Sequence, residues 1–235
     1  MLPNRPRRML LSGQLVPGLL LLAVCWQSTL PSESRGDEPS EQKREFTILV
    51  DDKPCGRYAL IIRREADESE VIRREADVRI RILGLTVYRY SSRNSETWKR
   101  GRLHSLENTA DYNGEQFMVK AETESGQLRV RVNGREQKAH PDVWTTSYWK
   151  LPEPQRRLQP LGLLECDKGQ DLKAKLQLVG DETIRIAERE EKCTRYQITG
   201  GVAGDLWYDS QDRLVRQEMI ESGHSTKFHL TSISE

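Results

Sequence analysis

This sequence lacks the motifs of the common catalytic and nucleotide-binding sites. It contains no glycine-rich phosphate loop, no Gly-x-Ser-x-Gly elbow around Ser147, and no cysteine or histidine spacing typical of zinc. Its hydrophobic fraction is only 36%, whereas 31% of the residues are charged. This balance is typical of antiparallel sheets whose strands bury one face and leave the other in water. We therefore expect a protein that is not an enzyme and that uses no cofactor or metal.

An excess of charge of one sign is also missing. Residues 1–36 resemble a secretory signal peptide, with Arg5, Arg7 and Arg8 before an apolar stretch at 15–26 that is too short to span a membrane. Beyond residue 36 the chain has 33 basic and 35 acidic residues. This balance gives no electrostatic footprint for nucleic acid. We expect an exported, periplasmic or extracellular protein with no transmembrane segment and no nucleic-acid partner.

Cysteine is scarce. Cys25 follows Leu-Ala-Val, which resembles a lipoprotein box apart from Val24, so a lipid anchor at Cys25 is the alternative to a soluble exported product. Cys55, Cys166 and Cys193 remain after the leader. Three thiols allow at most one internal disulfide, and we favour three independent small apolar residues.

Long apolar runs are absent after residue 44, where the chain consists of short alternating segments. Residues 37–44 are polar and predict a disordered lead-in, and residues 45–235 predict a single antiparallel β domain with little helix. The clearest signal is Leu128-x-Val130-x-Val132 before Asn133-Gly134, because both central positions of a type I′ turn need a positive φ. The predicted strands cover 45–50, 57–64, 71–98 with an interruption near 84, 102–109, 116–122, 127–132, 135–139, 161–166, 172–179, 183–187, 193–199, 204–208, 214–220 and 226–232.

The apolar side of the pattern changes at Gly84. Ile80 and Ile82 alternate with arginines before the glycine, whereas Leu85 and Val87 take the opposite parity after it. A β-bulge or sharp bend produces such a change, so the pattern predicts a curled sheet, a barrel or half-barrel, covered on a new side beyond Gly84.

An aromatic, proline-bracketed segment at 140–152 interrupts the β pattern and predicts a short plug packed into the curled sheet. Trp144 and Tyr148 are four residues apart and should share a face, whereas Trp149 should point elsewhere. Such a short piece is not stable alone, so the sheet must hold its aromatic side chains.

Four segments carry a family resemblance: Glu-Phe-Thr-Ile-Leu-Val-Asp at 45–51, Ile-Arg-Ile-Leu-Gly-Leu-Thr-Val-Tyr-Arg-Tyr at 80–90, Val-Trp-Thr-Thr-Ser-Tyr-Trp at 143–149, and the region 205–218. Together they resemble an exported bacterial family known only as a domain of unknown function (number 6134). More distantly, the pattern is similar to the lipoprotein-carrier half-barrels, whose curled sheet wraps a hydrophobic cavity plugged by short helices. The resemblance implies a fold and no activity.

Aromatic residues are the candidate ligand-binding residues. They would line a cavity for an apolar or lipid-like molecule, or they would simply fill the core. The histidines favour structural or exposed roles, because His224 and His229 are five apart and face opposite sides of one strand. The candidate set is Tyr88, Tyr90, Trp98, Trp144, Tyr148, Trp149 and Trp207.

Three functions are compatible with this sequence. The first is a binding or carrier module for an apolar or lipid-like ligand in the concave face of the sheet. The second is a cell-envelope interaction protein with a fully packed core, whose protein partner the sequence does not name. The third is an enzyme without a recognisable motif, which paired carboxylates with perturbed pKa values in a pocket would favour.

Overall fold

The computed structural model of this protein describes residues 40–186, 189–221 and 223–235, apart from the side chain of residue 138. The predicted signal peptide at 1–36, the alternative anchor at Cys25 and residues 37–39 lie outside these ranges. Strands account for most of the described residues, with one short helix among them. The elements are β1 (Ser40–Val50), β2 (Lys53–Arg64), β3 (Glu70–Ile82), β4 (Leu85–Lys99), β5 (Arg102–Tyr112), β6 (Glu115–Glu124), β7 (Gln127–Val132), β8 (Arg135–Ala139), β9 (Val143–Thr145), α1 (Pro154–Arg157), β10 (Leu161–Leu164), β11 (Asp171–Ile186), β12 (Arg189–Gly200), β13 (Gly204–Tyr208), β14 (Leu214–Glu221) and β15 (His224–Ser234).

These strands form one sheet in the order β8-β7-β6-β5-β4-β3-β2-β1-β15-β14-β13-β12-β11-β10-β9. Neighbours pair antiparallel, except β9 and β10, which are parallel. The first and last strands of the chain therefore pair at the centre of the sheet, and β8 and β9 form its edges. The predicted all-β antiparallel fold is confirmed.

Alternation along the strands places the core on one face. On β1, Phe46 and Ile48 are buried, and Phe46 lies opposite Tyr58 of β2, with their rings 5.3 Å apart in an edge arrangement. Apolar side chains of the same parity continue across the sheet and bury their area against the plug. The predicted turn at Asn133-Gly134 is confirmed, with φ of 48° and 81°.

The plug predicted at 140–152 contributes Val143–Thr145 to the sheet as β9, and the rest of the plug packs against both halves of the sheet. The Thr146 amide donates to the Leu164 carbonyl (3.1 Å), and the Leu151 amide donates to the Asp212 carbonyl (2.8 Å). Tyr58 and Tyr208 direct their hydroxyls to plug carbonyls at 3.5 and 3.1 Å. The backbone of this irregular segment is thereby paired inside the protein, as a buried segment requires.

The prediction at Gly84 was wrong. Leu83 and Gly84, with φ of 50° and 83°, form a two-residue hairpin turn between β3 and β4, and Ile82 pairs with Leu85 across it. Leu85 and Val87 are exposed, not covered on a new side. A turn reverses the chain and so breaks the alternation as a bulge does, and leucine at positive φ gave no turn signal.

The lead-in prediction was also wrong for residues 40–44, which belong to β1. Their charged composition suggested disorder, yet β2 pairs with all five residues and β15 pairs with Lys43 and Arg44. Arg44 is fully buried and donates to Asp209 (2.7 Å) and to the Leu214 carbonyl (2.7 Å). Burial alone would raise the pKa of Asp209, but the hydrogen bond and charge of Arg44 lower it.

Two predicted turns in the second half are strand. The turn expected at Gly180 is a register shift inside β11, which therefore joins two predicted strands. Residues 189–192, expected to turn, begin β12. The long β11–β12 hairpin tolerates the glycine as a bulge because neighbouring pairs continue on both sides.

Candidate functional site

Four of the candidate aromatic residues belong to the core and form two ring pairs. Trp144 and Tyr148 share a face as predicted, with ring centroids 4.9 Å apart, whereas Trp149 packs edge-on against Trp98 at 6.1 Å. All four side chains are buried. The Trp144 indole N–H donates to the Lys150 carbonyl (3.0 Å), so its polar edge is satisfied within the plug.

The two candidate tyrosines on β4 lie nearer the hairpin end of the sheet. Tyr90 packs against Tyr112 of β5, with ring centroids 4.8 Å apart, and its hydroxyl donates to Asp167 at 2.5 Å. Tyr88 is half-buried opposite Ile80. Burial raises the pKa of Tyr88 above its ordinary value.

Trp207 does not join the other candidates. It lies directly opposite Arg195 and Arg216 on its two neighbouring strands, and both guanidinium groups stack on its ring, at 5.1 and 4.8 Å. Its indole N–H donates to Glu182 (2.8 Å). The adjacent Tyr208 faces the plug, so alternation puts Trp207 on the outer face, where a charged layer buries it.

Sequence reasoning missed a buried carboxylate, Asp167, in the turn between β10 and β11. Five side chains donate to it. One oxygen accepts from Arg74 (2.9 Å), Ser92 (2.9 Å) and Asn108 (3.2 Å). The other accepts from Tyr90 (2.5 Å) and Tyr112 (2.9 Å).

Electrostatics keeps this carboxylate ionised. Burial by itself would raise the pKa of Asp167, but the Arg74 charge and the donated hydrogen bonds lower it below its ordinary value. The pKa of Arg74 is raised although burial opposes this, because Asp167 favours the charged guanidinium. Arg74 and the other four donors therefore tie the β10–β11 turn to strands β3, β4 and β5.

A second buried carboxyl group, Glu96, faces the plug. It accepts from the Trp98 indole (2.8 Å), from Thr145 (3.0 Å) and from Ser147 (3.3 Å), and the Cys166 thiol lies 3.6 Å from its other oxygen. Burial raises the pKa of Glu96, and the Arg74 charge offsets this only in part. Glu96 and Asp167 thus have pKa values displaced in opposite directions.

The hydroxyl of Ser147 contacts Glu96 and Thr145 and bonds to no histidine within the described ranges. Burial, with the nearby Glu96, raises the pKa of the Cys166 thiol well above its ordinary value, which suppresses the reactive thiolate. Within the described residues no group of three or more His, Cys, Asp or Glu side chains is arranged to hold a metal ion.

One sequence signal could have located these residues. Arg74 lies at the same parity as Ile72 and Ala76, so its charged side chain faces the core. Glu96 likewise shares the parity of Trp98. A charged residue on the apolar parity of a strand needs a buried partner, although the pattern does not say which one.

A cavity of about 550 Å³ opens at the opposite end of the sheet from the β3–β4 hairpin. Trp149 and Ile62 contribute apolar surface to it, whereas Glu70, Lys150 and Arg213 contribute charge. A groove of about 310 Å³ crosses β3–β6. Charged side chains border both the cavity and the groove, so a ligand with polar groups would fit them better than an acyl chain would.

Comparison with known proteins identifies the family of this chain. A sequence profile of the family described as Domain of unknown function (DUF6134) matches residues 46–231. The chain belongs to this family. Among curated proteins, none matches this DUF6134 chain. The family match confirms the resemblance to this family that the sequence predicted.

The DUF6134 chain is also similar to a solved structure, a beta-barrel-like protein of the domain of unknown function DUF1849 from Brucella abortus. The TM-score is 0.59, and the match covers 83% of this chain and 97% of that chain at 9% identity. At this identity the likeness shows the fold alone. No helix in the described ranges of the DUF6134 chain has the length and apolar content needed to cross a bilayer.

Proposed function

We propose that this DUF6134 protein is a non-enzymatic interaction protein of the cell envelope, whose interior is filled by its own plug and whose contacts are made by its outer surface. The observation that carries this proposal is the burial of Trp144, Tyr148 and Trp149. The Trp144 ring packs against Tyr148 and the Trp149 ring packs against Trp98, so these side chains fill the space that a ligand would need. Export is inferred from the predicted leader at 1–36.

The buried polar groups support the same proposal. Asp167 receives five donated hydrogen bonds, and Glu96 receives three from neighbouring side chains. A carboxylate whose lone pairs are occupied by fixed donors stabilises a fold and has little capacity left for a substrate. The opposed pKa values of the two groups therefore follow from structural pairing.

A second candidate function is the carriage of an apolar or lipid-like ligand. One observation favours it: Ile80, Tyr88 and Cys55 pack against the core but are only half-buried, near the hairpin end of the sheet. A small apolar ligand would complete the burial of these side chains. In this alternative the ligand would enter beside Tyr88 and Tyr90, not through the charged cavity next to Trp149.

Native mass spectrometry separates the two candidates. The protein would be purified from its own cell envelope without detergent, and any accompanying molecule would be extracted with organic solvent. We expect the mass of the polypeptide alone. A stoichiometric apolar adduct that is lost in Trp144→Ala but kept in Trp207→Phe would overturn the proposal in favour of the carrier, because Trp207 is the matched aromatic outside the interior. Cooperative urea unfolding of each variant would show that it is folded.

A further inference from the structure

The β3–β4 hairpin extends beyond its neighbours as a two-stranded ribbon. β2 pairs with β3 only as far as Val78, and β5 pairs with β4 only as far as Tyr90. The pairing of β3 with β4 continues to Ile82 and Leu85. At about 3.3 Å per residue, the ribbon of residues 79–89 extends about 13 Å past the sheet.

The end of this ribbon is apolar and exposed. Ile82, Leu83, Leu85 and Val87 are 58%, 98%, 73% and 52% exposed. They are four of the ten large apolar side chains exposed in the described part of the chain, yet they fall within six residues. Isolated exposed leucines are common, but a contiguous group marks a contact surface.

Arginines surround the apolar end, and residues 79–89 include no acidic residue. Arg79 and Arg89 lie directly opposite each other across the two strands, an arrangement of like charges that destabilises a hairpin. Their acidic neighbours are Asp77 and Asp111, at 3.5 and 3.7 Å, toward the base of the ribbon. Arg81, closer to the tip, is exposed.

Two charge pairs lie at the same end of the sheet. In the turn after β1, Asp51 bonds to His224 (2.7 Å) and Asp52 accepts from Lys227 (2.6 Å). The positive charge of residues 79–89 comes from Arg79, Arg81 and Arg89.

The turn residue adds a second anomaly. Leu83 adopts a φ of 50°, a conformation that polar residues take in the equivalent hairpin turns, at Arg100, Asn113, Ser125 and Asn133. Each of those asparagines also accepts a backbone N–H, from Arg89 (2.7 Å) or Met118 (2.8 Å), which leucine does not. Leucine is unfavourable here for the folded chain, so its exposed side chain points to a function outside the fold.

We propose that the 79–89 ribbon docks this protein on a membrane surface that contains anionic lipids. The apolar tip enters the interface between head groups and acyl chains, and the arginines bind the lipid phosphates. An apolar end with a basic collar is complementary to such a surface, whereas an uncharged apolar partner would not compensate the facing arginines. This inference rests on the proposed function, because it names what the outer surface contacts.

Vesicle co-sedimentation tests this proposal. Wild-type and variant proteins, purified in the same way so that residues 1–39 contribute equally, would be mixed with vesicles of phosphatidylcholine alone or of phosphatidylcholine with phosphatidylglycerol. We expect salt-sensitive binding to the anionic vesicles. Leu83→Asn should weaken it about tenfold, and Arg79→Gln or Arg89→Gln about fivefold each.

The same substitution provides its own folding control. Leu83→Asn should raise the urea midpoint because asparagine suits positive φ, so weaker vesicle binding by this variant is not a result of unfolding. The matched controls Leu158→Asn and Arg129→Gln change equally exposed residues elsewhere and should bind as wild type does.

Two results would overturn the docking proposal: no preference of the wild-type protein for anionic vesicles, or equal binding by wild type and Leu83→Asn. Neither result affects the proposed packed interior, which the mass measurement tests separately. An apolar adduct in the mass measurement would overturn the proposed function. The vesicle assay would still decide separately whether the 79–89 ribbon binds anionic membranes.

Discussion

The buried ion pair of Arg74 and Asp167 should contribute a large share of the free energy of unfolding of this domain, although it involves only two residues. Asp167→Asn keeps the shape of the side chain and removes its charge, which leaves the guanidinium of Arg74 buried without a counter-charge. Breaking a buried ion pair in this way costs about 3–5 kcal/mol. Arg74→Met should cost a similar amount, because Asp167 then keeps only neutral donors.

Replacing both partners should cost clearly less than the sum of the two single changes. The double variant buries no uncompensated charge, so we expect a coupling free energy of about 1.5–3 kcal/mol. Urea unfolding followed by tryptophan fluorescence measures this, because Trp98, Trp144, Trp149 and Trp207 are all buried in the folded state. The free energy of unfolding would be compared across the four proteins of the cycle.

The chain offers a matched control at its surface. Lys120 and Glu107 form an ion pair at 3.0 Å, close to the 2.9 Å of the buried pair, but both side chains are about two-thirds exposed. Their removal should leave the free energy of unfolding nearly unchanged. Additive effects of Arg74→Met and Asp167→Asn, or a loss no larger than that of the surface pair, would refute the reasoning.

Two further predictions concern the interior. Since burial raises the pKa of Glu96 above its ordinary 4.5, this group stabilises the fold at low pH and its contribution is lost as pH rises through the folded-state pKa. Between acidic and neutral pH, Glu96→Gln should therefore lose less of its free energy of unfolding than wild type does, as measured by urea unfolding at each pH. The control Glu107→Gln changes an exposed residue and should follow wild type. Parallel plots of the free energy of unfolding against pH for all three proteins would contradict this prediction. Burial also raises the pKa of the three described thiols, that of Cys193 to about 12, so Cys55, Cys166 and Cys193 should react slowly with a thiol reagent in the folded protein and rapidly in urea. Rapid labelling of Cys166 in the folded protein would contradict this burial.

Local patterns predicted the strands well because alternation and Asn-Gly turns act over a few residues. Asn133-Gly134 is an example, and the plug was recognisable because its aromatic residues and prolines interrupt the pattern. The turn at Leu83-Gly84 was missed because its first residue is one that turns disfavour.

The polar interior was not predictable in the same way. Arg74 meets Asp167 across 93 residues of sequence, and Glu96 meets Cys166 across 70. Such pairs depend on how the sheet curls, which no local pattern encodes. The candidate aromatic residues show the same limit. Alternation along β4 does not reveal that Trp98 contacts the plug. It also does not reveal that Trp207 lies on the outer face, away from the other candidates.

The pairing of β1 with β15 has a consequence for how this chain reaches its folded state. Most strands pair with a sequence neighbour, so the hairpins of each half can form as soon as their own residues are available. The central seam cannot, because β1 must wait until β15 has been synthesised, and Arg44 must wait for Asp209, 165 residues away. Until then β1 has an open edge and an unmatched cation. Synthesis of β15 is therefore the step that joins the two halves of the sheet, and a product truncated before β15 would keep an edge prone to aggregation.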